Sequence, residues 1–407
     1  MTSEWNHFAL GEITELVIDY RGKTPKKLGG DWCKQGYRAL SAKNIKTGRI
    51  VQAETIRYID ESLYRKWMKD EVQRGDILIT SEAPFGQIFF WDSDEKIVLS
   101  QRLFCVRIKP EYDARFIYYY MTTPEFQSEL DGRATGTTVI GLRQPELMKC
   151  VIRCPEIQEQ KVIAAILSSI DAKIIANEKV NDNLQRQLRT IFKAEFTDNP
   201  ELENITQIPL SELCHVVTKG TTPTTLGKPF VESGINFIKA ESILDDHSID
   251  KSKFAFIDEE TNALLKRSII HAGDVVFTIA GTLGRFALID ENVLPANTNQ
   301  AVAIIRADLE KVLPEYIYTC FIGEWHTDYY AKRVQQAVQA NLSLTTIKSL
   351  PIPLLDEAKM SEYLSLILPL IKAIKTNEAQ NEKLAALRDN LLPKLMSGEI
   401  DVSAVQL

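Results

Sequence analysis

This 407-residue chain is poor in histidine and tryptophan, with five of each, and it has no surplus of positive charge. Its six cysteines, at 33, 105, 150, 154, 214 and 320, form no CxxC and show no zinc-like spacing with the histidines. Reduced structural thiols are therefore expected, and a zinc module is not. No segment reaches the roughly 18 consecutive apolar residues of a membrane span. The opening MTSEWNHFAL lacks both a basic n-region and an apolar h-region, so the expectation is a cytoplasmic chain with no membrane partner. Motifs for bond chemistry are missing as well: there is no HExxH, GxSxG, GxGxxG or Asn-Pro-Pro-aromatic segment. The nearest phosphate loop, Gly220 to Gly227-Lys228-Pro229, is too long and puts proline where magnesium needs Ser or Thr. Metal and cofactor sites are accordingly expected to be absent from this chain.

What the chain does have is a duplication. GDILIT at 75–80 matches GDVVFT at 273–278, YRALSAKNI at 37–45 matches INFIKAESI at 235–243, and Ile59-Asp60-Glu61 matches Ile257-Asp258-Glu259, all at one offset. Small insertions then shift the register, so that Gln101 aligns with Gln300 and Asn177-Glu178 with Asn377-Glu378. So long a period indicates a duplicated domain and not a solenoid. Each copy opens with a turn-rich loop, GKTPKKLGG at 22–30 or GTTPTTLGKP at 220–229. Short apolar runs follow, including 76–80, 97–99, 103–108, 275–279 and 301–305, and they read as strands. Helix-like stretches come next, at 114–130 and 315–331. Each copy is thus expected to be an α+β unit. With 44% hydrophobic residues the chain can fill two cores.

The periodicity then changes. Ile163, Leu167, Ile170, Ile174, Asn177, Asn181, Leu184, Leu188 and Ile191 follow a 4,3 spacing, the a/d seam of a coiled coil. The second copy repeats it from Tyr363 through Asn377 and Asn381 to Leu395, with Pro369 and Pro393 predicting a restart and an end. If Asn177 meets Asn381 and Asn181 meets Asn377, the helices are antiparallel and every layer is fixed. Ile170 then faces Arg388, a poor layer that Leu387 would have to fill, and Glu195 faces Tyr363. A solvated Asn seam is the alternative. The domain expectation is 1–155, a helix at 156–197, 198–355, a helix at 356–398, and a tail at 399–407.

With its ordered motifs in both copies, the chain resembles the specificity subunit of type I restriction-modification systems. The resemblance rests on the GKTP and GTTP loops, on GDILIT and GDVVFT followed by APFGQ and GTLGR, on CPEIQEQKVIAAIL at 154–167, and on LLPKLMSGEIDV at 391–402. It implies two target-recognition domains that each read half of a split, asymmetric duplex DNA site, held apart by two antiparallel helices. It also implies two modification subunits carrying S-adenosylmethionine, and restriction subunits that use ATP and magnesium. The second helix start, IPLLDEAKM at 352–360, departs from the family pattern.

Reading DNA takes cations on phosphates and forked polar groups on base edges. Between 21 and 80 there are fourteen Lys/Arg against seven Asp/Glu, whereas 219–278 has seven against nine, so a basic face belongs to the first copy. The candidates there are Arg21, Lys23, Thr24, Lys26, Lys27, Arg38, Lys43, Asn44, Gln101, Arg102, Arg133, Thr137, Thr138 and Arg143. In the second copy they are Lys219, Thr221, Thr222, Thr224, Lys239, Thr282, Arg285, Asn297, Asn299 and Gln300. The competing class is a protein scaffold with two interaction domains and no nucleic acid, which the net charge of -7 favours.

Overall fold

Continuous apolar runs bounded by Gly and Asp form strands buried on both faces, and this governs both halves of the protein. The structure, a computed structural model, describes residues 5–136, 140–199, 205–327, 329–330, 341–403 and 405. The chain divides into two compact units, one of residues 1–173 with 384–407 and the other of residues 174–383. Each unit therefore contains part of both long helices.

In the first unit a four-stranded sheet runs in the order Thr14–Asp19, Leu103–Ile108, Ile77–Thr80, Ile88–Phe90, with all pairings antiparallel. Successive side chains of a strand point to opposite faces. Ile77, Ile79, Phe104 and Val106 face the helix Ala114–Met121 and the long helices. Leu78, Leu103 and Cys105 face a smaller sheet of Arg57–Ile59, Tyr37–Leu40 and Val98–Leu99. The second unit repeats the order as Cys214–Lys219, Val302–Ala307, Val275–Thr278, Phe286–Leu288. Its alternation splits Val275, Phe277, Ala303 and Ile305 from Val276, Val302 and Ile304 in the same way.

The GD motif has a physical reason in both copies. Gly75 and Gly273 take φ of +96° and +82°, a region where a side chain is strained. The following aspartates are buried acceptors. Asp76 accepts two bonds of 2.8 Å from Arg107 and one from the Gln73 amide, and Asp274 accepts two of 2.7 Å from Arg306 and one from the His271 amide.

The stretch expected as one helix over 114–130 is two, Ala114–Met121 and Pro124–Arg133. Thr123 starts the second by accepting from the Phe126 amide, with Pro124 in the first turn where its missing N–H costs nothing.

The long helices are Ile157–Phe196 and Glu357–Met396. Within the second unit, Asn177 Nδ2 donates to Asn381 Oδ1 at 2.8 Å and Asn377 Nδ2 to Asn181 Oδ1 at 2.7 Å. A rising number on one helix meets a falling number on the other, which is the expected antiparallel register. The two awkward layers are solved otherwise than by apolar filling. Leu387 is 48% exposed. Instead Arg388 pairs with Asp171 at 2.9 Å, and the Tyr119 hydroxyl donates to the same carboxylate at 2.6 Å. Tyr363 donates to Thr319 Oγ1 at 3.1 Å and sets its ring edge-on to Phe196. No restart occurs at Pro369, and the helix passes Pro393 to end at Met396. Burial of Ile367, Ile371 and Ile374 against the second recognition core holds the segment around Pro369 in place.

Candidate nucleic-acid interface

The surface of the first unit is built around the turn Gln101-Arg102, between the strands Val98–Leu99 and Leu103–Ile108. Both of its carbonyls are engaged: that of Gln101 accepts from the Ala42 amide at 3.1 Å, and that of Arg102 accepts from the Ser81 amide at 2.9 Å. Arg102 adopts φ of +66°, uncommon for a residue with a side chain and often found where function fixes the backbone. Both side chains are left exposed.

Two open clefts share this turn. One, of about 560 Å³, is lined among others by Arg21, Thr24, Lys27, Arg102, Thr135 and Arg143. The other, of about 180 Å³, is lined by Trp32, Ser41, Lys43, Thr55, Arg57 and Gln101, among others. Segments far apart in sequence, at 21–27, 41–43, 101–102, Thr135 and 141–143, therefore converge on one polar face of the first unit.

The predicted residues on this face do different things. Arg21 is a brace: it holds Asp19 with two bonds of 2.8 Å, reaches the Leu142 carbonyl at 3.3 Å and lies over Phe104 at 4.1 Å. Lys23 donates to the Trp67 carbonyl at 2.5 Å and sits over the Tyr20 ring, where burial, with Lys69 nearby, pulls its pKa below the usual lysine range. Thr24 accepts from the Lys27 amide, and the Lys27 ammonium reaches the Gly22 carbonyl. Arg38 is bound two-pronged to Glu95, Arg102 is paired with Glu82 at 2.9 Å, and Arg133 is held by Glu129 and Glu146. Lys26, Lys43 and Arg143 are exposed and carry no ion pair among the described residues. Thr137 and Thr138 lie outside the described residues.

Two expectations are corrected. Asn44 is 1% exposed, and its amide is consumed by Ser41, Thr55 and the carbonyls of Val51 and Gln52. It shapes the loop and offers nothing to a base. Asn297 is fully buried and donates to Asn262 Oδ1 at 2.8 Å and to the Leu265 carbonyl. It lies on the strand Ala296–Thr298, which pairs on both edges inside its sheet.

The remaining second-unit candidates are mostly internally paired. Arg285 grips Asp245 with two bonds of 2.6 Å, and Lys239 lies 3.6 Å from Glu241. Asn299 Oδ1 accepts from the Ala301 amide, and Thr222 donates to the Gln300 side chain. The Thr221 amide donates to the Thr298 carbonyl at 3.2 Å. Lys219 is half-buried with no ion pair among the described residues, and Thr224 and Thr282 are exposed. Sequence reasoning missed Arg267, whose guanidinium reaches Thr221 Oγ1 at 3.4 Å, and it missed Trp32 and Arg57. An Arg-aromatic pair brought together by strand pairing has no local sequence signature.

Among the described residues, no group of three or more His, Cys, Asp or Glu could hold a metal ion. Nor is any helix among them long and apolar enough to cross a membrane.

The model of the type I restriction modification DNA specificity domain matches twice, over residues 2–186 and 203–386. The chain is 25% identical over 350 residues to the type I restriction enzyme MjaIX specificity subunit of Methanocaldococcus jannaschii, covering 81% of this chain and 78% of that one. It is 22% identical over 354 residues to the EcoBI specificity subunit of Escherichia coli, covering 80% and 73%. The crystal structure of a type I restriction-modification system S subunit from M. genitalium superposes with a TM-score of 0.55 at 16% identity, over 96% of each chain, and shows the shared fold. With both repeats matched, the chain belongs to the type I restriction-modification DNA specificity family, as a non-catalytic DNA-sequence-specificity subunit.

Proposed function

We propose that each recognition unit reads one part of a bipartite, asymmetric site in double-stranded DNA, in the cytoplasm, and that the paired helices set the unread spacing. The chain docks two modification subunits, which carry S-adenosylmethionine, and through that assembly restriction subunits that use ATP and magnesium. The observation carrying this reading is the first unit's polar face, where Gln101 and Arg102 project between two clefts and Lys26, Lys43 and Arg143 form no ion pair among the described residues. Such free cations suit phosphates, and the forked side chains suit base edges. The chain's negative charge makes binding by the isolated subunit weak, and cations on the modification subunits would add to it.

Genome-wide methylation mapping with and without the chain tests this. A two-part motif present only with the chain is expected. Inserting seven residues within 170–190 should change the gap and keep both half-sites. Altered half-sites with an unchanged gap would refute the spacing role. Duplex binding insensitive to salt would favour the protein-scaffold reading instead.

A further inference from the structure

Most arginines of the first recognition unit hold a carboxylate, among them Arg21, Arg38, Arg74, Arg107 and Arg153. Arg57 is different. It is exposed, no carboxylate reaches it among the described residues, and its guanidinium lies over the Trp32 indole, 4.2 Å from the ring centroid. Core structure fixes this pair. Arg57 begins an edge strand paired with Tyr37–Leu40, and the Cys33 amide, next to Trp32, donates to the Tyr58 carbonyl at 2.9 Å. Behind Trp32 stands Trp67, whose indole N–H is tied to the Leu99 carbonyl at 3.1 Å.

Resting on the DNA-specificity reading of this face, we infer that Arg57 is a sequence-determining residue that reads a guanine in the half-site of the first unit. An arginine pressed on an aromatic face is already ordered, and its rigid fork of N–H donors matches a planar pair of acceptors. In the major groove, guanine O6 and N7 form that pair. A phosphate would be served as well by any tethered cation, and Lys43 on the same cleft supplies one. The other polar side chains on the cleft include the hydroxyls of Ser41 and Thr55, the amide of Gln101, and Arg102, whose guanidinium is paired with Glu82. Asn44 sets two of them in place by bonding Ser41 and Thr55 at 2.8 and 3.0 Å.

The test is methylation mapping in cells that make the full chain with its modification subunits, comparing the unaltered chain with R57K and W32L. R57K keeps the charge and removes the fork. It should relax one guanine position in one half-site by roughly ten- to a hundredfold, and W32L should relax the same position less. The untouched half-site reports that the variant is folded. A uniform drop in methylation with unchanged preference would make Arg57 a phosphate contact and overturn the inference, as would no change at all. Absence of any sequence-bounded methylation with the unaltered chain would sink the DNA reading itself, and this inference with it.

Discussion

The two recognition units share a scaffold and differ in their loops. Sheet order, strand alternation and the buried Asp–Arg pair recur almost residue for residue. The opening loops do not. In the first unit Gly22 borders the larger cleft, and a Cβ added there would meet nothing within 4 Å. Its counterpart Gly220 is pressed against the opposite strand, where a Cβ would lie 1.9 Å from the Thr298 carbonyl oxygen. There the Gly220, Thr221 and Thr222 segment is stitched to 298–300. The cation beside the matching aromatic also changes: Arg57 lies over Trp32 in one unit, whereas in the other Lys239 lies 5.6 Å from Phe230 and is also paired with Glu241. Aligned positions therefore keep their role where they bond to the scaffold and lose it where they meet solvent.

The strongest way to break this comparison is to attack what the units share. Asp76→Ala should leave Arg107 without its partner, and Asp274→Ala should do the same to Arg306. Both aspartates are essentially buried, at 1% and 0% exposed. Removing one partner of such a pair costs about 3 to 5 kcal/mol. Amide exchange on the intact chain should show a similar loss in the altered unit for each variant. A cost in one unit but not in the other would mean that the repeated motif no longer has a repeated role.

Acid should separate the units. The second contains His247, stacked on Phe286, and His326, 4% exposed among Phe277, Phe286 and Phe321, while the first has only the exposed His7. Burial pushes both imidazoles from 6.5 down to about 4. The unfolded chain then binds the extra protons. Their contribution to stability is complete above pH 6.5 and drains away as the pH falls toward 4. The ceiling is on the order of 3 kcal/mol for the fully buried His326, and less for His247, which keeps some solvent contact. Rate-corrected amide exchange between pH 7 and 4 should loosen the sheet Cys214–Lys219 to Phe286–Leu288 before its counterpart. His326→Phe should narrow the difference, and equal loosening in both units would refute the assignment.

What the sequence made legible follows the same division. The asparagine register could be read because a buried amide in an apolar seam has few ways to be satisfied, and pairing with another amide is one. The duplicated strands could be read because burial on both faces leaves a continuous apolar run. Misreadings fell where polarity was taken as exposure. Asn44 and Asn297 have the residue type of a base reader, but their amides are bonded inside the fold, Asn44 within its own loop and Asn297 to Asn262 and Leu265, more than thirty residues back along the chain. Arg21, Arg38 and Arg285 look like phosphate ligands until their carboxylates are located. The missed Trp32–Arg57 pair is the reverse case, 25 positions apart and joined only by strand pairing.

Salt dependence gives the smallest and most selective comparison, because it counts phosphate contacts. Each cation that neutralises a phosphate contributes about 0.9 to the slope of log binding constant against log salt. Lys26 and Lys43 are exposed in the first unit, and at the matching positions the second has Thr224 and Glu241. In the complete complex, Lys26→Ala and Lys43→Ala should each lower the slope by up to about 0.9, whereas Thr224→Ala should leave it unchanged. Glu241→Lys is the sharper probe, since it installs the first unit's charge at the duplicated site and frees Lys239 from its 3.6 Å partner. If the second unit's loop faces the duplex as the first unit's does, the slope should rise by one or two contacts. An unchanged slope would show that the duplicated loops meet DNA differently, despite the scaffold they share.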